Sequence, residues 1–272
     1  MNMNETVKKH YDESALDEWK RLKEHPFEFI FTTFEMDRFI KEGVSILDIG
    51  GGPGRYSIHY AKKGHPVTLV DLSDGNIALA KKKARQNKVK IKAYAKDCLE
   101  LEKLNLGLFD HVFLMGPLYH LLNEKDRVKA VEIALKHLKK GGHLYVSFIM
   151  TFAGVIYDLK NPGCLLKDLD PNFEAGKAFA EAVTNQGDFS GHAFTDAFFI
   201  DRNHIDGFMS SFPVKKDVIF GQESILAPNE KTILDCPKKE RDAWISFAKR
   251  FLETDYLLSY SEHAMWIGTK TK

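Results

Sequence analysis

The first chemical signal is a spacing of one acid and three glycines. Asp48-x-Gly50-x-Gly52-x-Gly54, with Gly51 inside it, lies in SILDIGGGPGRYSIHYA (45–61), between an apolar run and a segment with helical periodicity. Glycine has no Cβ, so backbone at such a turn can close on a ligand. In open parallel sheets ligands sit at the carboxyl ends of strands. The spacing departs from the G-x-G-x-x-G dinucleotide fingerprint, and no Lys-Ser/Thr follows it, which excludes a phosphate-binding P-loop. The second signal is Asp71, which closes PVTLVDL (66–72). A carboxylate at that strand end can accept hydrogen bonds from both hydroxyls of a ribose diol and so select an adenosyl-type ligand. Two plainer readings stand beside these. The turn is tight and empty, or Asp71 is an acid at the N-terminus of the helix that follows Ser73.

The elements that must position these residues follow from periodicity. Ser14 and Asp17 suggest the start of a short amphipathic helix with Leu16, Trp19 and Leu22. Pro26 suits the first turn of a second helix carrying Phe27, Ile30, Phe31 and Phe34, stopped by Gly43. Strands are expected at 44–50, 66–72, 89–97, 109–116 and 143–150. Helices are expected at 55–63, 73–87 and 125–140, the last ended by Gly141-Gly142. Apolar strands alternating with helices predict an α/β fold with a parallel sheet covered on both faces. The alternation fails over 151–212, which carries Phe152, Tyr157, Phe173, Phe179, Phe189, Phe194, Phe198 and Phe199. That stretch is a lid or pocket wall, or an insertion with its own small core. Two more strands, 214–224 and 263–270, flank a helix at 238–253. The chain therefore divides into an N-terminal helical cap (1–43), a core (44–150), a substrate-side insertion (151–212) and a C-terminal completion of the same domain (213–272).

The 272 residues carry 39 basic and 38 acidic groups, a formal charge of +1. This gives no reason to expect a nucleic-acid partner, which demands clustered Lys and Arg. The run Lys81-Lys82-Lys83 reads as a solvated helix face. No apolar run reaches membrane-spanning length, and MNMNETVKKHYDES has no secretory h-region. Cys98, Cys164 and Cys236 are scattered, without metal-binding or disulfide spacing. These features suggest a cytoplasmic chain, with no metal and no membrane.

ILDIGGGPGRYS, LVDLS, AKDCLEL, FDHVFLMGPLYHL and LKKGGHLYVSF, in that order over 46–149, resemble the motifs of class I S-adenosylmethionine-dependent methyltransferases. The resemblance implies a Rossmann-like seven-stranded sheet, mostly parallel, with an antiparallel last strand. It places Gly50, Gly51, Gly52 and Gly54 under the methionyl part of S-adenosylmethionine. It puts Asp71 on the ribose, Leu72 against adenine, Asp97 at the adenine amino group with Cys98 beside it, and Met115 and Gly116 along the cofactor. N-terminal helices often close over the site in this family, which brings in Tyr11, Trp19 and Arg21, with Arg21 available to the cofactor carboxylate. The implied reaction is an in-line displacement onto an O or N of a small molecule, a step that needs alignment more than covalent help.

MGPLYH (115–120) lacks the [D/N]-P-P-[Y/F] of enzymes that methylate DNA or protein amides, and no cysteine follows Pro or Thr as in cytosine C5 enzymes. His120 is the candidate base, or else a structural histidine or a cofactor contact. His192 and His204 are further candidates in the insertion. An RNA or other macromolecular methyltransferase, and a cofactor-binding regulator without catalysis, are the alternative functions. The sequence leaves the oligomeric state open.

Overall fold

The computed structural model describes residues 3–170, 172–193 and 196–272. Its centre is a seven-stranded sheet. The strands are β1 (Ile46–Ile49), β2 (Val67–Asp71), β3 (Lys92–Ala95), β4 (Phe109–Leu114), β5 (Leu138–Ile149), β8 (Val214–Gly221) and β9 (His263–Lys270), in the order β3-β2-β1-β4-β5-β9-β8. A separate hairpin pairs β6 (Phe189–His192) with β7 (Asp196–Phe199). β1 to β5 run parallel, and β9 runs antiparallel to both β5 and β8. This is the Rossmann-like α/β sheet with an antiparallel last strand that the resemblance implies.

The strands are apolar on both faces because helices cover both. Leu47 and Ile49 of β1 pack with Val112, Leu114 and the buried face of α6 (Glu124–Lys136). Ile46 of the same strand turns the other way, toward Phe27 and Phe31 of α2 (Pro26–Met36) and Tyr56 and Tyr60 of α3 (Arg55–Lys62). Period-2 alternation on one strand thus feeds two cores. α4 (Asp74–Gln86) lies over β2 and β3, capped by Ser73, whose hydroxyl accepts from Asn76 N.

Several boundaries move. The first helix, α1, is Met3–Glu24, and Ser14 is inside it, its hydroxyl bonded to His10 O at 2.6 Å rather than capping an end. Helix α2 stops at Met36, ahead of Gly43, which takes a left-handed turn leading to β1. Strand β3 is shorter than 89–97. Gly141-Gly142 do not end a helix. They lie within β5, which starts at Leu138 directly after α6. A Cβ on Gly142 would meet Asp110 O at 2.6 Å, so close backbone packing requires that glycine. The C-terminal helix α12 is Lys238–Ala248, tightening to a 3-10 turn over Lys249–Phe251.

The 151–212 stretch contains α7 (Ala153–Lys160), α8 (Leu165–Asp168), α9 (Glu174–Thr184), the β6-β7 hairpin and α10 (Arg202–Ser210). Phe189 and Phe199 pack with Phe179, Ala153 and Ile149 in a small core of their own. Phe198 turns inward, with the Arg127 guanidinium 3.5 Å from its ring centroid. Phe194 lies outside the described residues. No described helix is long and apolar enough to cross a membrane.

His111 is buried in the sheet, 2.9 Å from the Tyr145 hydroxyl and stacked on His143. Burial, with His143 beside it, pushes its pKa down to about 4. The unfolded side chain titrates near 6.5. Below that pH the unfolded state binds more protons, so this contribution is complete above pH 6.5 and is lost as pH falls toward 4. Urea denaturation at pH 7, 6 and 5 is expected to show a slope that His111→Gln reduces by up to about 1.4 kcal/mol per pH unit.

Candidate active site

The carboxyl edge of the sheet opens into a cavity floored by the glycine turn. Gly50 has φ +73°, and a Cβ there would meet Pro117 Cδ at 2.5 Å. A side chain at this position is excluded by conformation and by space alike. Gly51 and Gly52 also line the cavity; Gly54 does not. Gly54 is the left-handed N-cap of α3, with Ala80 Cβ 3.2 Å from where its own Cβ would be. Beneath the turn, Asp48 is buried and bonded to Ser57 Oγ at 2.6 Å; burial raises its pKa to about 6.

Asp71 ties three elements together. Its Oδ2 accepts from Gly52 N at 2.8 Å, and its Oδ1 from Ser73 N at 2.9 Å and Asn76 Nδ2 at 3.1 Å. Burial pushes its pKa up, and these three donors oppose the rise. A carboxylate has about four acceptor directions, so the free one is on Oδ2. Beside it, Asn76 Oδ1 is buried and has no hydrogen-bond partner among the described residues. Both residues line the cavity. A little further along are Leu72, Asp97 and Cys98. Asp97 Oδ1 caps a 3-10 turn through Leu99 N at 2.9 Å. Burial pushes the Cys98 thiol pKa up and keeps it neutral.

Helix α1 roofs the cavity and is latched to the start of α4. Asp12 Oδ1 accepts from Ser73 Oγ at 2.6 Å and from Gly75 N at 3.0 Å, and Lys8 pairs with Asp74. Trp19 does not reach the cavity. Its ring carries Lys83 on one contact and Lys23 on another, so one lysine of the expected solvated run is used to dock α1. Tyr11 does reach it, with its hydroxyl 2.9 Å from His120 Nε2. His120 ends α5 (Pro117–His120), next to Met115 and Gly116 on the cavity wall. Its ring also bonds the Asp196 backbone, so Nδ1 donates there and Nε2 accepts from Tyr11. Burial lowers the His120 pKa to about 4. Arg21 lines the cavity, but its fork is closed on Glu18 by two bonds of 2.8 Å.

Sequence reasoning passed over several groups that the tertiary structure brings here. Arg55 lines the cavity, donates to Leu22 O and stacks over Phe29 at 4.3 Å. It has no carboxylate partner among the described residues, and burial lowers its pKa. The Tyr56 hydroxyl donates to Glu28 Oε1 at 2.6 Å. The Tyr119 hydroxyl stands beside Gly116. From the far strands come Ser147 and Gln222, joined at 2.5 Å, and His263. Arg55 follows the glycine motif directly and was legible. Gln222 and His263 carry no local signal.

His192 and His204 lie away from the cavity, exposed and paired with Asp196 and Asp188. No residue of 151–212 is among the cavity-lining residues described. That segment acts on the site through the Asp196 bond and by packing on Tyr119. Among the described residues, no group of three or more His, Cys, Asp or Glu is placed to hold a metal.

The sequence profile of the methyltransferase domain family matches residues 46–142. Residues 46–142 thus read as a methyltransferase domain. A provisionally named methyltransferase of Geobacillus sp. (strain WCH70) is 27% identical over 172 residues, covering 62% of this chain and 61% of its own length. The ubiquinone biosynthesis O-methyltransferase of Coxiella burnetii is 31% identical over 119 residues, covering 43% of this chain and 49% of its own. The chain thus spans about half to three fifths of the curated relatives it matches. Among solved structures, magnesium protoporphyrin IX methyltransferase of Synechocystis PCC 6803 with bound SAH superposes with a TM-score of 0.60 at 13% identity, covering 99% of this chain and 100% of that one. The N-methyltransferase NodS of Bradyrhizobium japonicum WM9, in complex with S-adenosyl-L-homocysteine, gives 0.57 at 13%, covering 98% and 100%. At those identities the likeness is one of fold.

The roof of the cavity depends on the Asp12 latch. An Asp at a helix start contributes about 1 kcal/mol over Ala. Asp12→Ala is expected to raise the undocked fraction of α1 about fivefold, with a nearly unchanged melting temperature. Limited proteolysis within Met3–Glu24 reads this out.

Proposed function

We propose that the chain transfers a methyl group from S-adenosylmethionine to an O or N of a small-molecule acceptor. The observation that carries this reading is the pair of acceptors at the end of β2. Asp71 Oδ2 keeps one free direction, and Asn76 Oδ1 is buried without a donor. A ribose diol supplies two hydroxyl donors, and unfilled acceptors on two hydrogen-bonded neighbouring residues suit it. A phosphate has no donors to offer at neutral pH and would meet a carboxylate. Leu72 and the neutral Cys98 would flank adenine, with Asp97 available to its amino group. Asp48 lies under the turn where the methionyl end would run. For the methionyl carboxylate, Arg55 is a lining cation with no carboxylate partner among the described residues, whereas Arg21 is closed on Glu18.

When bound, the cofactor supplies an electrophilic methyl on a sulfonium. The protein's part is to align and to desolvate. Helix α1 closes the roof, and the glycine turn and Pro117 fix the floor. Where the acceptor must lose a proton, His120 is the base. It is neutral at pH 7, its Nδ1 is oriented by the Asp196 backbone, and the Tyr11 hydroxyl lies on its Nε2. Tyr11 can pass the acceptor's proton on to His120 or, in the closed roof, simply hold the ring. The relatives named for O- and N-methylation support an O or N acceptor. The near-balanced charge and the enclosed cavity support a small one.

Calorimetry should show binding of S-adenosylmethionine and S-adenosylhomocysteine. Asp71→Ala should weaken both by at least about tenfold, and Asn76→Ala by less. Absence of binding, or unaltered binding by Asp71→Ala, overturns the reading. If His120 is the base, His120→Ala should lower kcat about 100-fold or more with cofactor affinity nearly unchanged. A loss of cofactor affinity with kcat retained would make the Tyr11–His120 bond a latch instead.

A further inference from the structure

The reading above leaves His263 unused. It begins β9 at the carboxyl edge and lines the same cavity. In the order β2-β1-β4-β5-β9 it stands at the opposite end from Asp71, past the glycine turn. A cofactor held by β2 and β1 leaves that end to the acceptor.

Glu223 fixes the ring. His263 Nδ1 lies 2.6 Å from Glu223 Oε1. Glu223 Oε2 takes the Ser261 hydroxyl at 2.6 Å and His263 N at 3.0 Å. The carboxylate is buried and holds these three donors. The turn that aims it inward is strained, since the next residue, Ser224, is a buried non-glycine at φ +56°. The pair is not needed to hold β8 to β9, which share a ladder from Val214↔Lys270 to Gly221↔Ala264. With Nδ1 committed, Nε2 is the ring's one remaining polar atom.

Burial by itself would lower the His263 pKa, but the Glu223 charge and hydrogen bond outweigh it and raise it to about 9. The ring is therefore an imidazolium at neutral pH, and its Nε2–H is a charged donor. The other carboxylates near it are Glu28, a cavity-lining anion that accepts from the Tyr56 hydroxyl, and Glu262, paired with Lys160. A charged donor in an enclosed site gains most from an anionic oxygen.

The geometry points to His263, set by Glu223, as the donor that binds a carboxylate of the acceptor at the β5-β9 end of the cavity. This rests on the methyltransferase reading for which half of the cavity is the acceptor's. Glu223 is a positioning residue. It acts through the ring.

The test uses the full chain saturated with S-adenosylhomocysteine, with benzoate, benzamide and benzylammonium as probes in calorimetry. Benzoate is expected to saturate and to bind at least about tenfold more tightly than benzamide. His263→Asn should remove that preference and leave benzamide and S-adenosylhomocysteine affinities unchanged. Glu223→Gln should weaken benzoate and move the His263 titration, read by NMR, from about 9 toward 6.5. Loss of benzoate with benzamide affinity kept separates positioning from a purely structural role, and the titration keeps the test valid if His263→Asn fails to fold. Benzoate that does not saturate, benzamide or benzylammonium binding as tightly, or a titration unmoved by Glu223→Gln overturns the proposal. Failure of S-adenosylhomocysteine to bind is measured first and overturns the methyltransferase reading instead; benzoate held by His263 would then still show the anion site.

Discussion

The Asp71 carboxylate is the tie on which the site depends. One buried acid at the end of β2 collects an amide from the glycine turn, an amide from the start of α4 and a side-chain amide from within that helix. A buried carboxylate is costly unless its oxygens are satisfied, and here three elements satisfy it together. The consequence is geometric. The turn after β1 cannot drift from β2, and α4 cannot slide along the sheet. The roof inherits the same anchor, because Asp12 of α1 is bonded to Ser73 and Gly75, beside the Asp71 partners.

From that anchor the cavity grades along the sheet edge. At the β2 and β3 end Asp71, Asn76 and Asp97 offer acceptors, and the lining cation there, Lys96, is paired with Glu100. At the β5 and β9 end the exposed polar chemistry is a donor on His263. Between them stand Asp48, Arg55 and three tyrosines, of which Tyr11 and Tyr56 are bonded to neighbours. The proposed placement of two ligands along this gradient needs no moving parts at the floor. The parts that can move are in the roof, where α1 is held chiefly by polar and cation–π contacts rather than by a large apolar face. Such contacts are individually weak, which suits a segment that must open for ligands to enter.

The two histidines illustrate how environment sets role. His120 and His263 face the same cavity, and burial lowers the basicity of both. His120 has backbone and hydroxyl partners and stays neutral, with a pKa of about 4. His263 has a buried carboxylate at 2.6 Å and stays charged, with a pKa of about 9. The residue type is identical and the partner decides.

By itself the sequence determined the alternating core, the acid and glycine spacing after β1, and the acid closing β2. These are local patterns: strand periodicity, missing Cβ atoms and a carboxylate at a strand end are written within a few residues of each other. It also marked Tyr11, Arg21, Met115, Gly116 and His120, all of which line the cavity. It misplaced the end of α6 because Gly141-Gly142 look like a helix stop, while the sheet needs them for close approach to Asp110 inside β5. It left the aromatic insertion as a lid or pocket wall or as an insertion with its own small core, and Phe179, Phe189 and Phe199 pack together in such a core. Only the tertiary structure closed Arg21 on Glu18 and left Arg55 without a carboxylate partner among the described residues, because an ion pair depends on which face of a helix meets which neighbour. Only it set Glu223 against His263 at the cavity's far end. These two are 40 residues apart, and nothing in their own neighbourhoods says that an antiparallel turn of the last two strands will join them.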